Sequence, residues 1–234
     1  MTASNKPEIV EPGDLSGWEL RTIKRTQPQV KDEFLALSRA IVHAAYDLLE
    51  EKGLEGLTIR AVLTKTGLAR RAFYEHFAGK DDLVLAVFEY TIQLAATLYS
   101  KQLQGIDNPL ERLQWLVVSI VLGRGSLESG YQESVSRRGA AMSREQIRLA
   151  ESRPEELKAA LSPLVSLLED QVRAAQTVGL VRSSDPTRMA NMVYNLVATT
   201  VHTELTAEIT RPNRVPRMQL AEELWEFCRR AIAT

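Results

Sequence analysis

The sequence predicts an all-α protein, and three observations carry that expectation. Beyond residue 31, apolar residues recur at the 3.6-residue spacing of helices. The breaks between these stripes are Asn-Pro and Asp-Pro caps or glycine stops. Alternating strand patterns and the glycine-rich signals of a nucleotide-binding sheet are absent from the chain.

The elements follow in order. Residues 1–31 are set apart by Pro7, Pro12, Gly13, Gly17 and Pro28, which interrupt any helical period. From Trp18 to Lys31 the charge is locally +3, with Arg21, Lys24, Arg25 and Lys31 facing Glu19 alone. This segment reads as a flexible basic extension, either a solvated tail or an arm reaching DNA phosphate or a minor groove. Trp18 argues for docking, because disordered tails are poor in aromatics.

Phe34, Leu37, Ile41, Ala44, Ala45 and Leu48 then form one helical stripe that stops at Gly53. Thr58 caps a short helix from Ile59 to about Thr66, and Gly67 permits a left-handed turn. A second short helix runs from about Leu68 to Phe77. A longer one, from Asp81 to about Gln104, carries Leu83, Val87, Leu94 and Leu98 on one face. Asn108-Pro109-Leu110-Glu111 opens the next with the pattern of a capping box. Gly123, Gly125 and Gly130 mark a break before a helix over Tyr131 to Glu151. Pro154 and Pro163 each start or kink a helix, and Gly179 ends that stretch. Asp185-Pro186 caps a helix over about 186–208, Pro212 and Pro216 interrupt it, and a last helix covers about 217–233.

Composition narrows the function classes. A formal charge of −1 over 234 residues means that any nucleic-acid affinity must come from local clustering. The single cysteine, Cys228, rules out an intramolecular disulfide framework and a cysteine-rich zinc module. His43, His76 and His202 lack metal-ligand spacing, so neither a metal nor a cofactor is expected. No triad spacing, nucleophile elbow or phosphate-loop lysine is present, so an enzyme is not expected. No apolar run approaches the ~18 residues of a membrane span, and the expected compartment is the cytoplasm.

Residues 58–80 concentrate a charge of +4 from Arg60, Lys65, Arg70, Arg71 and Lys80 against Glu75. Two short helices around Gly67 form a helix-turn-helix, whose second helix enters the DNA major groove. Ile59, Val62 and Leu63 supply the inner side of the first helix, while Phe73 and Phe77, one turn apart, bury the second. Arg70, Arg71 and Tyr74 are left facing outward, although Tyr74 serves packing as readily as phosphate contact.

With these residues in view, the chain resembles the TetR family of one-component transcriptional regulators. The resemblance rests on Gly53, Leu57-Thr58-Ile59-Arg60, Gly67 and the run from Phe73 to Leu83, and it covers roughly residues 34–85. It implies a three-helix DNA-binding head over 32–80 and a helical ligand-binding and dimerising body over 81–234. It also implies base or phosphate contacts from Arg70 and Arg71, and phosphate contacts from Thr58, Tyr74, His76 and Lys80. Two residues depart from the family pattern. Leu63 replaces an alanine and spreads the two helices, and Ala69 replaces the usual Ser or Thr cap, a loss of about 1 kcal/mol.

The resemblance further implies a homodimer on a palindromic double-stranded operator, acting as a repressor released by a small effector, and the apolar character of the candidate pocket residues suggests an apolar one. Two heads one DNA turn apart read such a palindrome with combined affinity. Candidate pocket residues are Phe88, Leu94, Leu98, Trp115, Val118, Leu122 and Met142, each equally readable as core. Candidate dimer residues are Val193, Leu196, Val197, Val201, Leu224 and Phe227, which intrachain core explains as well. A helical carrier or interaction protein with a degenerate head is the alternative.

Overall fold

The computed structural model describes residues 15–24, 31–123, 133–207 and 217–234, with backbone alone for 133–138. Among the described residues the chain forms α1 (Gly17–Ile23), α2 (Lys31–Gly56), α3 (Ile59–Thr66), α4 (Arg70–His76), α5 (Lys80–Leu103), α6 (Pro109–Leu122), α7 (Glu133–Ser152), α8 (Pro154–Thr177), α9 (Pro186–Ala207) and α10 (Arg217–Ile232). The one β-type pairing among them is an isolated bridge between Val181 and Ala233. It ties the start of the α8–α9 connection to the carboxyl end, helped by Arg182 N–H donating to Ile232 O at 2.9 Å.

The caps do what their residue types dictate. Thr58 Oγ1 accepts from Ala61 N–H at 3.1 Å and starts α3, and Gly67 closes it at φ +70. Asn108 Oδ1 accepts from Leu110 N–H at 2.9 Å, and Asp185 Oδ1 from Arg188 N–H at 3.2 Å. Gly53, at φ +66, breaks the helical path within α2, where the sequence placed a stop. Helix α4 begins at Arg70, two residues later than expected, because Ala69 offers no side-chain cap and Leu68 lies outside the helix. Of the two prolines whose role was open, Pro154 sits in the first turn of α8, and Pro163 lies inside that helix, which continues past it. The breaks expected at Gly125, Gly130, Pro212 and Pro216 lie outside the described residues.

Three apolar clusters organise the molecule. The head cluster unites α2, α3, α4 and the first turns of α5 around Ile41, Leu49, Val62, Phe73 and Phe77. Leu85 and Phe88 of α5 join Leu149, Leu157 and Ala160 of α7 and α8. The body cluster gathers the end of α5 with α6, α8, α9 and α10 around Leu113, Leu116, Leu168, Val172 and Val197. Helix α5 takes part in all three, so its apolar residues encircle it.

This arrangement corrects two expectations. Helix α5 is long and apolar enough, by length and composition, to pass as a membrane span, which the sequence reading denied to every segment. Half of that window is buried inside the protein, as a central core helix requires. The flexible extension is the second. Residues 17–23 form a docked helix, with Trp18 only 4% exposed in the head cluster. The anchoring of Trp18 and the internal pairing of Arg21 and Glu19, described below, explain why this stretch is not a solvated tail.

Candidate nucleic-acid interface and body cavity

The head holds α4 by its aromatic face. Phe73 and Phe77 are 0% and 1% exposed, with ring centroids 5.9 Å apart. Burial of two phenylalanines one turn apart fixes the rotation of α4 about its axis. Arg70, Arg71 and Tyr74 therefore face solvent. Tyr74 is 43% exposed and meets the edge of Phe73 at 5.4 Å, so it serves packing and surface together. The Arg70 guanidinium stacks over the Tyr74 ring at 5.7 Å and its Nη2 donates to the phenol oxygen at 3.4 Å. Arg71 pairs with Glu75 one turn on, at 3.2 Å, with its side chain 92% exposed. An exposed pair of this kind is weak and exchangeable for a phosphate.

Arg60 and Lys80 are exposed beside this face, Lys80 in the first turn of α5, where free N–H groups also favour an anion. Thr58 is exposed, and its oxygen serves as the α3 cap while its hydroxyl proton remains available. Ala69 is exposed at the start of α4 without a capping side chain, and Leu63 packs half-buried on the head cluster.

Two residues of the expected DNA-binding set, His76 and Lys65, are turned elsewhere. His76 is 3% exposed, stacked on Phe34 at 3.9 Å, with Nδ1 2.7 Å from Ser38 Oγ. It is a buried tie between α4 and α2, and a phosphate cannot approach it. Burial holds its pKa below the ordinary histidine value, against the pull of Glu75. Lys65 is bridged to Glu51 at 3.0 Å and Asp47 at 3.2 Å on α2, so its charge is already balanced.

The body holds a half-open cavity of about 180 Å³. Phe88, Leu122 and Met142 line it, as expected from the sequence. Leu94, Leu98, Trp115 and Val118 do not: Leu94 packs on the head cluster and the other three on the body cluster. The α5 wall is instead Phe88, Ile92, Ala95 and Tyr99, a stripe at spacings of four, three and four residues. That stripe was visible in the sequence. The apolar girdle around α5 hid it, since periodicity picks no face where every face is apolar.

The polar lining was missed altogether. Ser143 and Gln146, one turn apart on α7, face Tyr194 of α9, whose hydroxyl donates to Gln146 Oε1 at 3.2 Å. Ser143 Oγ lies 2.7 Å from His202 Nδ1. Arg217 stands at the wall and donates to the Val121 carbonyl at 3.4 Å. Tyr46 of the head helix α2 also lines the space, so the cavity reaches the head. None of these partners is near in sequence, and the packing of α7 on α2 and α9 and of α10 on α6 brings them together.

Among the expected dimer residues, Val197 and Leu224 are buried within the chain's own body, away from the groove between α9 and α10 that Val193, also buried, lines. Leu196 and Val201 pack half-buried on the same cluster, Val201 against the cavity. Phe227 is different: it is 63% exposed and, with Met192 at 59% and the edge of Leu196, borders an apolar groove of about 590 Å³ between α9 and α10.

Comparison with known proteins adds three findings. Residues 41–87 match the family described as "Bacterial regulatory proteins, tetR family". The HTH-type transcriptional repressor KstR2 of Mycobacterium tuberculosis is 28% identical over 79 residues, 34% of this chain and 40% of that protein. The match thus spans about two fifths of the length of that relative. A transcriptional regulator from Saccharomonospora viridis in complex with choline superposes with a TM-score of 0.62 at 18% identity, covering 85% of this chain and 98% of its own. AibR in complex with isovaleryl coenzyme A and operator DNA gives 0.53 at 23% identity, covering 81% and 96%. At such identities the structural likeness concerns the fold. Over residues 41–87 the chain thus carries a segment similar to the tetR family of bacterial regulatory proteins, and its all-α architecture is the fold of the solved regulators it resembles.

Proposed function

We propose that the protein is a homodimeric, sequence-specific DNA-binding transcriptional regulator, a cytoplasmic repressor released from a palindromic operator by a small effector. The observation that carries this reading is the outward face of α4. Arg70, Arg71 and Tyr74 stand exposed on a helix whose rotation is fixed by Phe73 and Phe77, flanked by the exposed cations of Arg60 and Lys80. The relatives agree in kind, since one is named a repressor and another was crystallised on operator DNA.

The dimer contact would use the α9–α10 groove around Met192 and Phe227, whose exposed apolar side chains are costly to leave in water. The effector would occupy the body cavity. Its apolar part would rest on Phe88, Ile92 and Ala95, and a hydrogen-bonding group would meet Ser143 and Gln146. Release requires that this ligand bind the non-operator state more tightly. The route is short, because α5 and Tyr46 belong both to the cavity wall and to the head.

The test is selection of genomic duplex on the immobilised protein. Recovery of fragments sharing a palindrome, bound more tightly than random duplex, supports the reading. Affinity equal to that for random duplex supports a helical small-molecule carrier with a degenerate head.

A further inference from the structure

We propose that α1 is an intramolecular clasp that locks the DNA-binding head to the body, so that the head swings only when α1 lets go. The inference goes beyond the DNA-binding reading and concerns a helix that lies before the matched family segment, which begins at residue 41.

Helix α1 lies against α2, α5 and α8, the first from the head and the last from the body. Each of its turns grips a different neighbour. Trp18 is buried in the head cluster. Glu19, itself 8% exposed, accepts from Arg39 Nε of α2 at 2.6 Å. Arg21 Nη1 lies 2.8 Å from Glu89 Oε1 of α5, where the carboxylate is only 5% exposed. Glu89 sits one residue beyond Phe88, on a stretch of α5 that touches both the head cluster and the residues of α7 and α8. Gly17 rides directly over it: a Cβ there would stand 3.2 Å from Glu89 Oε2, so α1 and the carboxylate are in close contact.

The grip is all-or-none for physical reasons. A seven-residue helix is unstable alone, despite the capping box between Ser16 and Glu19, so α1 holds its shape only while docked. The Arg21–Glu89 pair is held by charge in a closed space, since Arg21 Nε and Nη2 and both carboxylate oxygens lack an aligned hydrogen bond. Withdrawing either charge strands the other, and burial already pushes Glu89 above the ordinary carboxylate range against the pull of Arg21. A head rotation that separates α2 from α5 must therefore draw Trp18 from its seat or break an ion pair. Such a contact releases as a unit and does not stretch. The one cation of α1, Arg21, is spent internally where a DNA arm would present it to phosphate.

The experiment places spin labels at Ala78→Cys in the head and Ser166→Cys in α8, both exposed, in a Cys228→Ala chain. Labelled chains are diluted into unlabelled excess, so that only distances within one chain are read, and no DNA is present. The clasp is removed with Arg21→Ala/Arg39→Ala and, in a shape-preserving version, Glu89→Gln. We expect amides of residues 17–23 to exchange at least about tenfold faster, and the 78–166 distance distribution to broaden. Faster exchange with an unchanged distribution would make α1 a mere decoration, and no change in either would show that the ion pairs do not hold it. Should the double variant fail to fold, Glu89→Gln decides by the same two readouts. Failure of DNA binding would leave this measurement untouched.

Discussion

Lysines 65 and 80 carry the same charge on neighbouring helices of the head, yet the structure predicts opposite consequences for their removal. Lys80 is exposed in the first turn of α5, whereas Lys65 is held by Glu51 at 3.0 Å and Asp47 at 3.2 Å. Each phosphate neutralised contributes about 0.9 to the slope of log K against log salt. In a two-headed complex Lys80→Ala removes two contacts, so the slope should become shallower by about 1.8. Between 50 and 200 mM salt, the affinity ratio of wild type to variant should then change by about twelvefold. Lys65→Ala should alter the slope by less than about 0.3, because its charge is already balanced. Fluorescence anisotropy of a labelled duplex, titrated at four salt concentrations, reads both. Equal slope changes for the two variants would refute the reasoning, as would a larger change for Lys65→Ala.

Three further outcomes follow from the geometry. Phe73→Ala should cost about 3–5 kcal/mol in urea unfolding, since the ring is fully buried in the head cluster; a loss under about 1 kcal/mol would mean that α4 is not seated as described. His76 should make stability pH-dependent. Its folded pKa lies below the ordinary value of 6.5, so its contribution is complete above about pH 6.5 and is lost as pH falls through the folded pKa. Urea midpoints at descending pH should show this loss in wild type and less of it in His76→Gln, and parallel curves would contradict the burial. Phe227→Glu should shift the sedimenting species from dimer to monomer while the monomer keeps its helical circular dichroism, because the side chain is 63% exposed within the chain; a dimer that persists would move the interface elsewhere.

The head was legible because its determinants are local. Thr58, Gly67, Phe73 and Phe77 fix two helices and their rotation within twenty residues, and the structure follows them closely. What escaped depends on distant partners. His76 is drawn inward by Ser38 and Phe34, some forty residues earlier, and Lys65 by carboxylates on α2. The cavity escaped for a different reason. Helix α5 is apolar around its whole girth because three clusters use it, so Leu94 and Leu98 looked as suitable as Ile92 and Ala95. The basic count before residue 31 was also misleading, since charge arithmetic does not reveal that Arg21 has a buried carboxylate waiting on α5.

The central claim is that the outward face of α4 reads DNA, and a competition measurement on Arg70→Ala/Arg71→Ala tests it most directly. The duplex is the genomic fragment recovered by selection, the competitor is random duplex of equal length, and circular dichroism verifies that the head remains folded. Each specific arginine–base pair is worth about 1–3 kcal/mol of discrimination, so the variant should lose at least about tenfold of its preference and approach the affinity shown for random sequence. A folded variant that still prefers the selected fragment as strongly as wild type would contradict the account.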